Sequence, residues 1–513
     1  MGILSLFGGK HKRNSQRPTG SPRGQALPDE PFATDLRSNL DKLSELFPNT
    51  LDLNVRRLNI RATGQDAALV YIDGLTDKTE INTSIIKPLL MQTGTNGEMP
   101  IEIGRMVRVY GWNDLTVAVL KGSSVLLVEG SDEAIVMRTG GWPQRNPTDP
   151  KMETSLRGAQ MGFVETIEQN IAMIRRYLPN RELKFKNFTV GRRGNTQVSI
   201  AYLEDVANPD ILRELEDRIG RLDVDVIINT GELAELIEDN PYSPFPQLLI
   251  TERPDAAVSQ IAQGRFAVLV DRSPTVLIGP ASFVSFFQNI DDYSTRWSIA
   301  TFIRMLRFLA FFISISLPGF YIAVTSFNFE LVPIKLLITI GTYRGTVPFA
   351  PFIEAAFMEL TLEMIREAGV RLPSPIGQTV GIVGGIVIGQ AIVQAGLISN
   401  IMVVVVAFTA ISSFILPNLD MVAAVRIIRF SLMAAASMFG IFGLLVGLMI
   451  LVGHMISLET LGTPFSTPFS PMRFSDWRDT VVRSPLWKLT RRPVGAHPTQ
   501  TRRQGDNRPK GDG

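Results

Sequence analysis

Cysteine is absent from the 513-residue sequence, and histidine occurs only three times. Without cysteine the chain has no disulfides, no thiolate metal sites and no cysteine nucleophile. Two histidines, His11 and His497, lie in the terminal tails, and His454 ends a long apolar run. A lone histidine in such a place is typical of an interfacial residue, so we expect no metal centre.

Signatures of nucleotide-dependent and hydrolytic enzymes are also missing. The sequence has no G-x-x-x-x-G-K-[ST], no H-E-x-x-H and no G-x-S-x-G. Those motifs are typical of phosphate-binding loops, zinc-dependent hydrolases and enzymes with a nucleophilic serine. The adjacent carboxylates of Asp291 and Asp292 have the simpler interpretation of a solvated surface. We therefore expect a protein that is not an enzyme and needs no cofactor.

Charge is nearly balanced but unevenly placed. The formal net charge is +2, which provides no overall field for nucleic acid. Charged residues are frequent up to Arg307, and apolar residues dominate from Phe308 to Ser457. Basic residues gather at both ends. Residues 1–30 are therefore predicted to form a disordered basic tail, and residues 484–513 a second one on the cytoplasmic side.

Residues 31–145 are predicted to form a first α/β subdomain. It opens with an amphipathic helix that Thr34 or Asp35 caps. The apolar face of this helix comprises Leu36, Leu40, Leu43, Leu46 and Phe47. Three later apolar runs, separated by short polar turns, indicate an antiparallel meander. These runs are Leu115–Leu120, Ser124–Glu129 and Glu133–Met137.

Residues 152–295 are predicted to form a second α/β subdomain, because strand and helix patterns alternate there. A long helix is expected over Arg157–Leu178. The strand candidates are Leu183–Val190, Gln197–Leu203, Val224–Ile228, Leu248–Thr251 and Phe266–Val270. Helices are expected near Asp210–Arg221, Gly231–Glu238 and Ala256–Gln263.

Long uncharged stretches predict a helical membrane domain over residues 299–457. A bilayer crossing needs about 20 apolar residues, and four spans are expected, at 308–328, 376–396, 400–417 and 430–453. Residues 330–371 are apolar but carry charges on one helical face, which favours interfacial or re-entrant helices or, alternatively, two further crossings. The fold class is thus a soluble α/β N-terminal region of two subdomains followed by an α-helical transmembrane domain.

The basic tails predict the orientation of the chain. Positive residues remain in the cytoplasm, so both termini are expected there and the number of crossings is even. Arg304 and Arg307, just before the first span, agree with a cytoplasmic start. Arg426 and Arg429 would then face outward, against the same rule.

Glycine recurs every four residues in the second predicted span. Gly377, Gly381, Gly385 and Gly389 form one ridge along which another helix backbone can approach closely. The last span repeats the pattern with Ala436 and Gly440, and with Gly443 and Gly447. Packing within one chain and contact between subunits both remain open.

The opposite face of the same helix is polar at both ends and apolar in the middle. It comprises Thr379, Val383, Val387, Gln390 and Gln394. Polar residues at membrane depth face protein or water, and in a ring of subunits such a face lines a pore that an apolar constriction gates. Ordinary helix–helix hydrogen bonds from the two glutamines are the alternative.

Several long stretches resemble the A subunits of the GerA family of spore germinant receptors. They include FPQLLITERPD at Phe245–Asp255, GRFAVLVDRSPTVLIGP at Gly264–Pro280 and SPLWKLTRRP at Ser484–Pro493. The longest are ETSLRGAQMGFVETIEQNIAMIRRYL at Glu153–Leu178 and VPFAPFIEAAFMELTLEMIREAGVRLPSPIGQ at Val347–Gln378. The resemblance runs from about Leu36 to Pro493.

This resemblance implies a role in germination at the inner spore membrane. It implies a transporter-like B subunit and a lipoprotein C subunit as partners, contact with membrane lipid, and a homo-oligomer, expected to be a pentamer. It also implies a germinant-gated channel for monovalent cations. The alternatives are a non-conducting scaffold or signalling subunit, and the paralogue from the dipicolinate-release operon that amplifies germination.

Overall fold

The structure is a computed structural model that describes residues 30–91, 101, 103–104, 106–141, 153, 158, 161–372, 389–505 and 507. Its N-terminal unit is a five-stranded antiparallel sheet in the order β1-β2-β4-β5-β3. The strands are β1 (Leu53–Asn59), β2 (Asp66–Ile72), β3 (Met106–Val109), β4 (Ser124–Val128) and β5 (Ala134–Met137).

Helices cover both faces of this first sheet. One face packs against α1 (Leu36–Leu46) and α4 (Trp112–Leu120). The other packs against a π-helical turn (Ile81–Ile86) and α3 (Lys87–Met91), which follow the short helix α2 (Lys78–Glu80). The side chains of β2 contribute to the cores on both faces, since successive strand residues point to opposite faces of the sheet.

The second α/β unit repeats this plan. Its antiparallel sheet has the order β6-β7-β9-β10-β8, with β6 (Leu183–Val190), β7 (Thr196–Leu203), β8 (Leu249–Thr251), β9 (Phe266–Val270) and β10 (Val276–Gly279). The helices α5 (Ile167–Tyr177) and α8 (Pro254–Ile261) cover one face. The other is covered by α6 (Pro209–Gly220) and α7 (Thr230–Ile237).

The two units share a side-chain clamp as well as a strand order. In α1, Asn39 accepts from the backbone N–H of Ala33 at 2.9 Å and donates to its carbonyl at 2.6 Å. In α5, Asn170 makes the same two bonds with Val164, also at 2.9 and 2.6 Å. Both asparagines are buried. We conclude that the N-terminal half is an internal structural repeat.

Replacing either clamp asparagine by alanine should lower the free energy of unfolding by about 1–2 kcal/mol, because it leaves a backbone N–H and a carbonyl unpaired. Thermal unfolding of the full chain in one detergent measures this. Asn59→Ala, at an exposed position of β1, is the control and should change stability by less than about 0.5 kcal/mol. Equal effects at Asn39, Asn170 and Asn59 would contradict the clamp.

A buried ion pair joins the two units. Arg175 of α5 is fully buried and binds the Asp52 carboxylate through two nitrogens, each at 2.7 Å. Beside it, the Nζ of Lys184 donates to the Pro48 carbonyl at 2.6 Å. Both contacts place the turn before β1 against the second unit.

The strand predicted at Leu115–Leu120 is wrong, because these residues lie in α4. The helix buries Leu115 and Val119, one turn apart, and leaves Val117 exposed. A strand would have placed all three on one face. The runs at Ser124–Glu129 and Glu133–Met137 contain β4 and β5, as predicted.

Two further predictions in the second unit are wrong. The helix expected at Arg157–Leu178 begins only at Ile167, since the clamp from Asn170 holds the preceding backbone extended. No strand is present at Val224–Ile228; this segment runs beside the β6–β7 turn, where the carbonyls of its first two residues accept N–H groups of Arg192 and Arg193.

A helical region follows the two α/β units, so the predicted fold class is confirmed. Its helices are α9 (Trp297–Ser326), α10 (Ile334–Arg344), α11 (Pro351–Arg371), α12 (Gly389–Gln394), α13 (Asn400–Phe414) and α14 (Leu419–Ser457). Among the described residues, α9 and α14 are long and apolar enough to cross a membrane, and α13 is a shorter apolar helix.

Helix α14 reverses direction at Gly440, whose backbone has φ 62° and ψ −143°. A Cβ atom on Gly443 would lie 2.2 Å from the Ala435 carbonyl oxygen. In a continuous helix those two residues are about 12 Å apart. The two arms therefore pack side by side as a hairpin, and the single span predicted at 430–453 is wrong.

The second α/β unit and the helical region share one apolar core. Phe283 and Phe287 pack edge-on against Phe311 of α9, each with ring centroids 5.4 Å apart. Phe465, which follows α14, joins the same cluster. Since this contact is a continuous core, the unit and the helices are held rigidly together.

The chain after α14 returns to the second unit. A short pair of strands, β11 (Glu459–Thr460) and β12 (Thr463–Pro464), is followed by irregular backbone. The Thr499 N–H donates to the Val206 carbonyl at 2.9 Å, and Arg492 donates to Ala262 at 2.9 Å. Disorder was predicted for this tail, but residues 484–505 are tied down by such bonds and by buried Leu489 and Ala496.

Candidate functional site

An arginine bridges three helices inside the bundle. Pro318 in α9 has no N–H, so the Ser314 carbonyl loses its helical partner. The Nε of Arg429, on α14, donates to that carbonyl at 2.7 Å, and its Nη1 donates to the Glu359 carboxylate of α11. Arg429 and Glu359 are 2% and 1% exposed. Arg429 therefore gives the Ser314 carbonyl the hydrogen bond that Pro318 cannot donate, and it also pairs with the buried charge of Glu359.

A second layer of charge lies beside this pair. The Glu363 carboxylate accepts from Arg426 at 2.9 Å and from Arg366 at 3.1 Å. A third carboxylate, Glu354, is buried and accepts from the Ser399 N–H at 3.0 Å, at the start of α13. The charged face of α11 is thus turned inward. Ionisable groups at such depth characteristically line functional pathways in membrane proteins.

Some polar atoms of this interior have no hydrogen-bond partner among the described residues. They are Oε1 of Glu354, Oε1 of Glu359, Nη2 of Arg429 and the Tyr321 hydroxyl. Buried polar atoms require a partner, so the interior offers positions for water or an ion. Within the described ranges no group of three or more metal-ligating side chains comes together.

A buried ionic network joins the second α/β unit to α9 and to the C-terminal segment. Arg304 of α9 is fully buried and donates to Asp292 and to Asp479, each at 2.8 Å. Arg307 also donates to Asp292, at 2.9 Å. Asp292 is only 2% exposed, so the interpretation of this carboxylate as solvated surface is wrong. The network couples three separate parts of the chain.

Tyr293 belongs to the same network. Its hydroxyl donates to the Asp479 carboxylate at 2.7 Å. Burial, followed by the charge of Asp479, raises the pKa of Tyr293 above its ordinary value. The phenol therefore stays protonated and keeps donating at neutral pH.

Most of the glycine ridge and the predicted pore face lie outside the described residues. These are Gly377, Thr379, Gly381, Val383, Gly385 and Val387. On α12, Gln390 and Gln394 are exposed, and a Cβ on Gly389 would meet no described atom within 4 Å. Both the ridge and the pore face remain predictions.

Two glycines of α14 pack against described residues of the same chain. A Cβ on Gly447 would lie 2.6 Å from Leu432, on the other arm of the hairpin. Together with the contact of Gly443, this confirms packing within one chain for these two glycines. At the tip, the Asn328 side chain accepts from the Ile441 N–H at 3.1 Å and caps the second arm.

Sequence reasoning missed the bridge of Arg429, Glu359 and Pro318. A signal was present, because Arg426 and Arg429 contradict the charge rule for the orientation expected of that helix. Arginines in such a place are explained by inward pairing, and the charged face of α11 supplies the carboxylates. The junction residues Asp292 and Asp479 gave no comparable signal. Asp479 lies 175 residues from Arg304. Asp292 lies only 12 residues before Arg304 but in a short 3-10 turn outside α9, where helical periodicity does not reveal the pair.

The two α/β units, the rigidly attached helices and the buried charges define a multidomain protein with a helical membrane part. A profile of the family described as "Bacillus/Clostridium GerA spore germination protein" matches residues 41–494. The chain belongs to the GerA family of spore germination proteins.

Relatives support the same assignment. Spore germination protein KA of Bacillus subtilis (strain 168) is 37% identical over 489 residues, 93% of this chain and 90% of the relative. Spore germination protein GerLA of Bacillus cereus is 37% identical over 86% of this chain and 92% of its own length. The uncharacterized membrane protein YfkQ of Bacillus subtilis (strain 168), 35% identical over 91% of this chain and 92% of its own length, agrees with the apolar helices in indicating membrane association.

A solved structure also matches part of this chain. It is the N-terminal domain of the A subunit of the Bacillus megaterium spore germinant receptor GerK3, 28% identical, with a TM-score of 0.39. The alignment covers 50% of this chain and 98% of that domain.

Proposed function

We propose that this protein is the A subunit of a nutrient germinant receptor and forms a germinant-gated channel for monovalent cations. The observation that carries the proposal is the layer of buried charges on α11 and α14, because ionisable groups inside a membrane bundle mark ion pathways. Membership of the GerA family supports the role in germination.

The assembly we propose is a homo-oligomer, a pentamer, in the inner spore membrane, with both termini on the core side. A transporter-like B subunit binds the nutrient, and a lipoprotein C subunit completes the receptor. Among the described residues no atom would contact a Cβ on Gly389, and Gln390 and Gln394 are exposed, which supports contact with a neighbouring subunit or a pore. In this proposal the chain performs no catalysis and needs no cofactor.

The rigid junction suggests how a signal reaches the helices. Because Arg304 ties Asp292 and Asp479 to α9, a displacement of the second α/β unit moves the start of α9 with it. Through Ser314 and Arg429 that movement reaches α14 and α11. We propose that this chain of contacts transmits germinant binding to the pore face at Thr379–Gln394.

Conductance of reconstituted protein tests the function. Full-length protein in liposomes, with its B and C partners, should release K⁺ when germinant is added. Val383→Ala and Val387→Ala should leak without germinant, because each widens the apolar constriction. Val404→Ala, at an exposed position of α13, is the control and should not leak.

A protein that stays monomeric and conducts nothing with its partners present would favour the scaffold interpretation. Conduction only when the protein acts downstream of another complete receptor would favour the paralogue from the dipicolinate-release operon.

A further inference from the structure

The irregular segment after α14 lies against the first turns of α9. Thr301 and Arg483 exchange two hydrogen bonds, from hydroxyl to carbonyl and from N–H to hydroxyl, both at 3.1 Å. One turn further, Arg304 holds Asp479. Residues 479–483 are therefore fixed at the level where α9 begins.

The exposed side chains at this level are of the types found where proteins cross a membrane surface. While Arg304 and Arg307 point inward, the outer face of α9 is apolar from its first turn, with Trp297 49% and Phe302 68% exposed. The C-terminal segment adds Phe474, 70% exposed, and the exposed Trp477. Aromatic residues in such a belt are typical of the boundary between lipid and water.

A cavity of about 490 Å³ opens beside this aromatic belt. Its cationic lining residues are Arg478, Lys488, Arg491, Arg492 and Arg503. The carboxylates of the lining are already engaged: Asp479 binds Arg304, and Asp476 accepts from the Val494 N–H at 3.0 Å.

Most of the cations in the cavity lack an acidic partner. Arg492 donates to carbonyl oxygens of Ala262, Gln500 and Arg502. Among the described residues, Arg478, Lys488, Arg491 and Arg503 form no salt bridge. An excess of unneutralised positive charge beside an aromatic belt fits a phosphate at the membrane surface.

We propose that this cavity binds the headgroup of an anionic phospholipid in the leaflet next to the α/β units. The cations contact the headgroup phosphates, and the aromatic belt contacts the upper part of the acyl chains. A soluble anion explains the charge but not the aromatic side chains at the same level. This proposal rests on membrane association alone and is independent of ion conduction.

Lipid retention by the full-length protein tests the proposal. Native mass spectrometry of protein released from nanodiscs of phosphatidylcholine with phosphatidylglycerol should show retained phosphatidylglycerol. The triple variant Arg478→Gln, Lys488→Gln, Arg491→Gln should lower that affinity on the order of 100-fold, at about fivefold per charge. High salt should weaken binding to the unchanged protein in the same direction.

A matched variant controls for net charge. Arg193→Gln, Arg213→Gln and Arg221→Gln remove three exposed positive charges from the second α/β unit and should leave retention unchanged. The single variant Lys488→Gln, at an exposed position, keeps the fold and should weaken affinity about fivefold. Lys488→Arg should retain full affinity.

Three outcomes would overturn the proposal. The first is equal retention of phosphatidylcholine and phosphatidylglycerol. The second is an equal loss of lipid in the triple variant and its matched control. The third is displacement of the lipid by inorganic phosphate at low concentration, which would assign the cavity to a soluble anion.

Discussion

Arg429→Met should lower the free energy of unfolding by about 3–5 kcal/mol, because it leaves the buried carboxylate of Glu359 without its positive partner. It also leaves the Ser314 carbonyl without a donor, since Pro318 has none to offer. Thermal unfolding of the full chain in a single detergent measures the loss.

Two double variants separate these causes. Arg429→Met with Glu359→Leu removes both charges and should recover most of the stability, because an apolar pair of similar volume is often as stable as a buried ion pair. Arg429→Met with Pro318→Ala restores the helical N–H in α9 and should recover only the smaller share due to the carbonyl.

Arg426→Met is the control for this set. Arg426 is 28% exposed at its side chain and Glu363 keeps Arg366 as a second partner, so a loss of only about 1 kcal/mol is expected. If the variants at Arg426 and Arg429 lost the same stability, the bridge would have no special role.

Gly440→Ala should destabilise the chain by about 2–5 kcal/mol, because its backbone lies in a region that is almost restricted to glycine and its surroundings are full. The new Cβ would lie 2.8 Å from the Asn328 side-chain oxygen and 2.9 Å from the Phe327 Cβ. Since Asn328 caps the second arm, the cap should be lost together with the turn. Thermal unfolding and the rate of proteolysis at the hairpin report both effects.

Gly453→Ala is the control, and its expected effect on stability is opposite to that of Gly440→Ala. It lies in the second arm of the same hairpin, and a Cβ there meets nothing within 4 Å among the described residues. Alanine at such a helical position should stabilise the chain by about 0.4–1 kcal/mol. Similar destabilisation at both glycines would contradict the reversal at Gly440.

Local patterns in the sequence were sufficient for much of the α/β half. The amphipathic period predicted α1, which buries one face, and short apolar runs bounded by turn residues predicted β4, β5, β6 and β9. Strands β4 and β9 are buried along their whole length, so continuous apolar runs and not alternation identified them. The run at Leu115–Leu120 failed because a short apolar segment fits both periods, and its burial against the sheet decided the outcome.

The helical region was harder to predict because its decisive contacts are distant in the chain. Charge-free length predicted long apolar helices, which the structure contains, but could not show that one of them reverses, since Gly440 resembles any small residue in a packing pattern. The pairing of Glu359 with Arg429 links positions 70 residues apart. Periodicity within one helix carries no information about such a pair.

The return of the chain after α14 has a topological consequence. The Leu461 N–H donates to Asp239 at 2.7 Å, and the Phe283 N–H donates to the Phe465 carbonyl at 2.7 Å. The helical region is thus an insertion into the second α/β unit, anchored to it where it leaves and where it re-enters. Neither end of the helical region can therefore act as a free hinge. Any rearrangement has to take place among the helices themselves, between the two anchored ends.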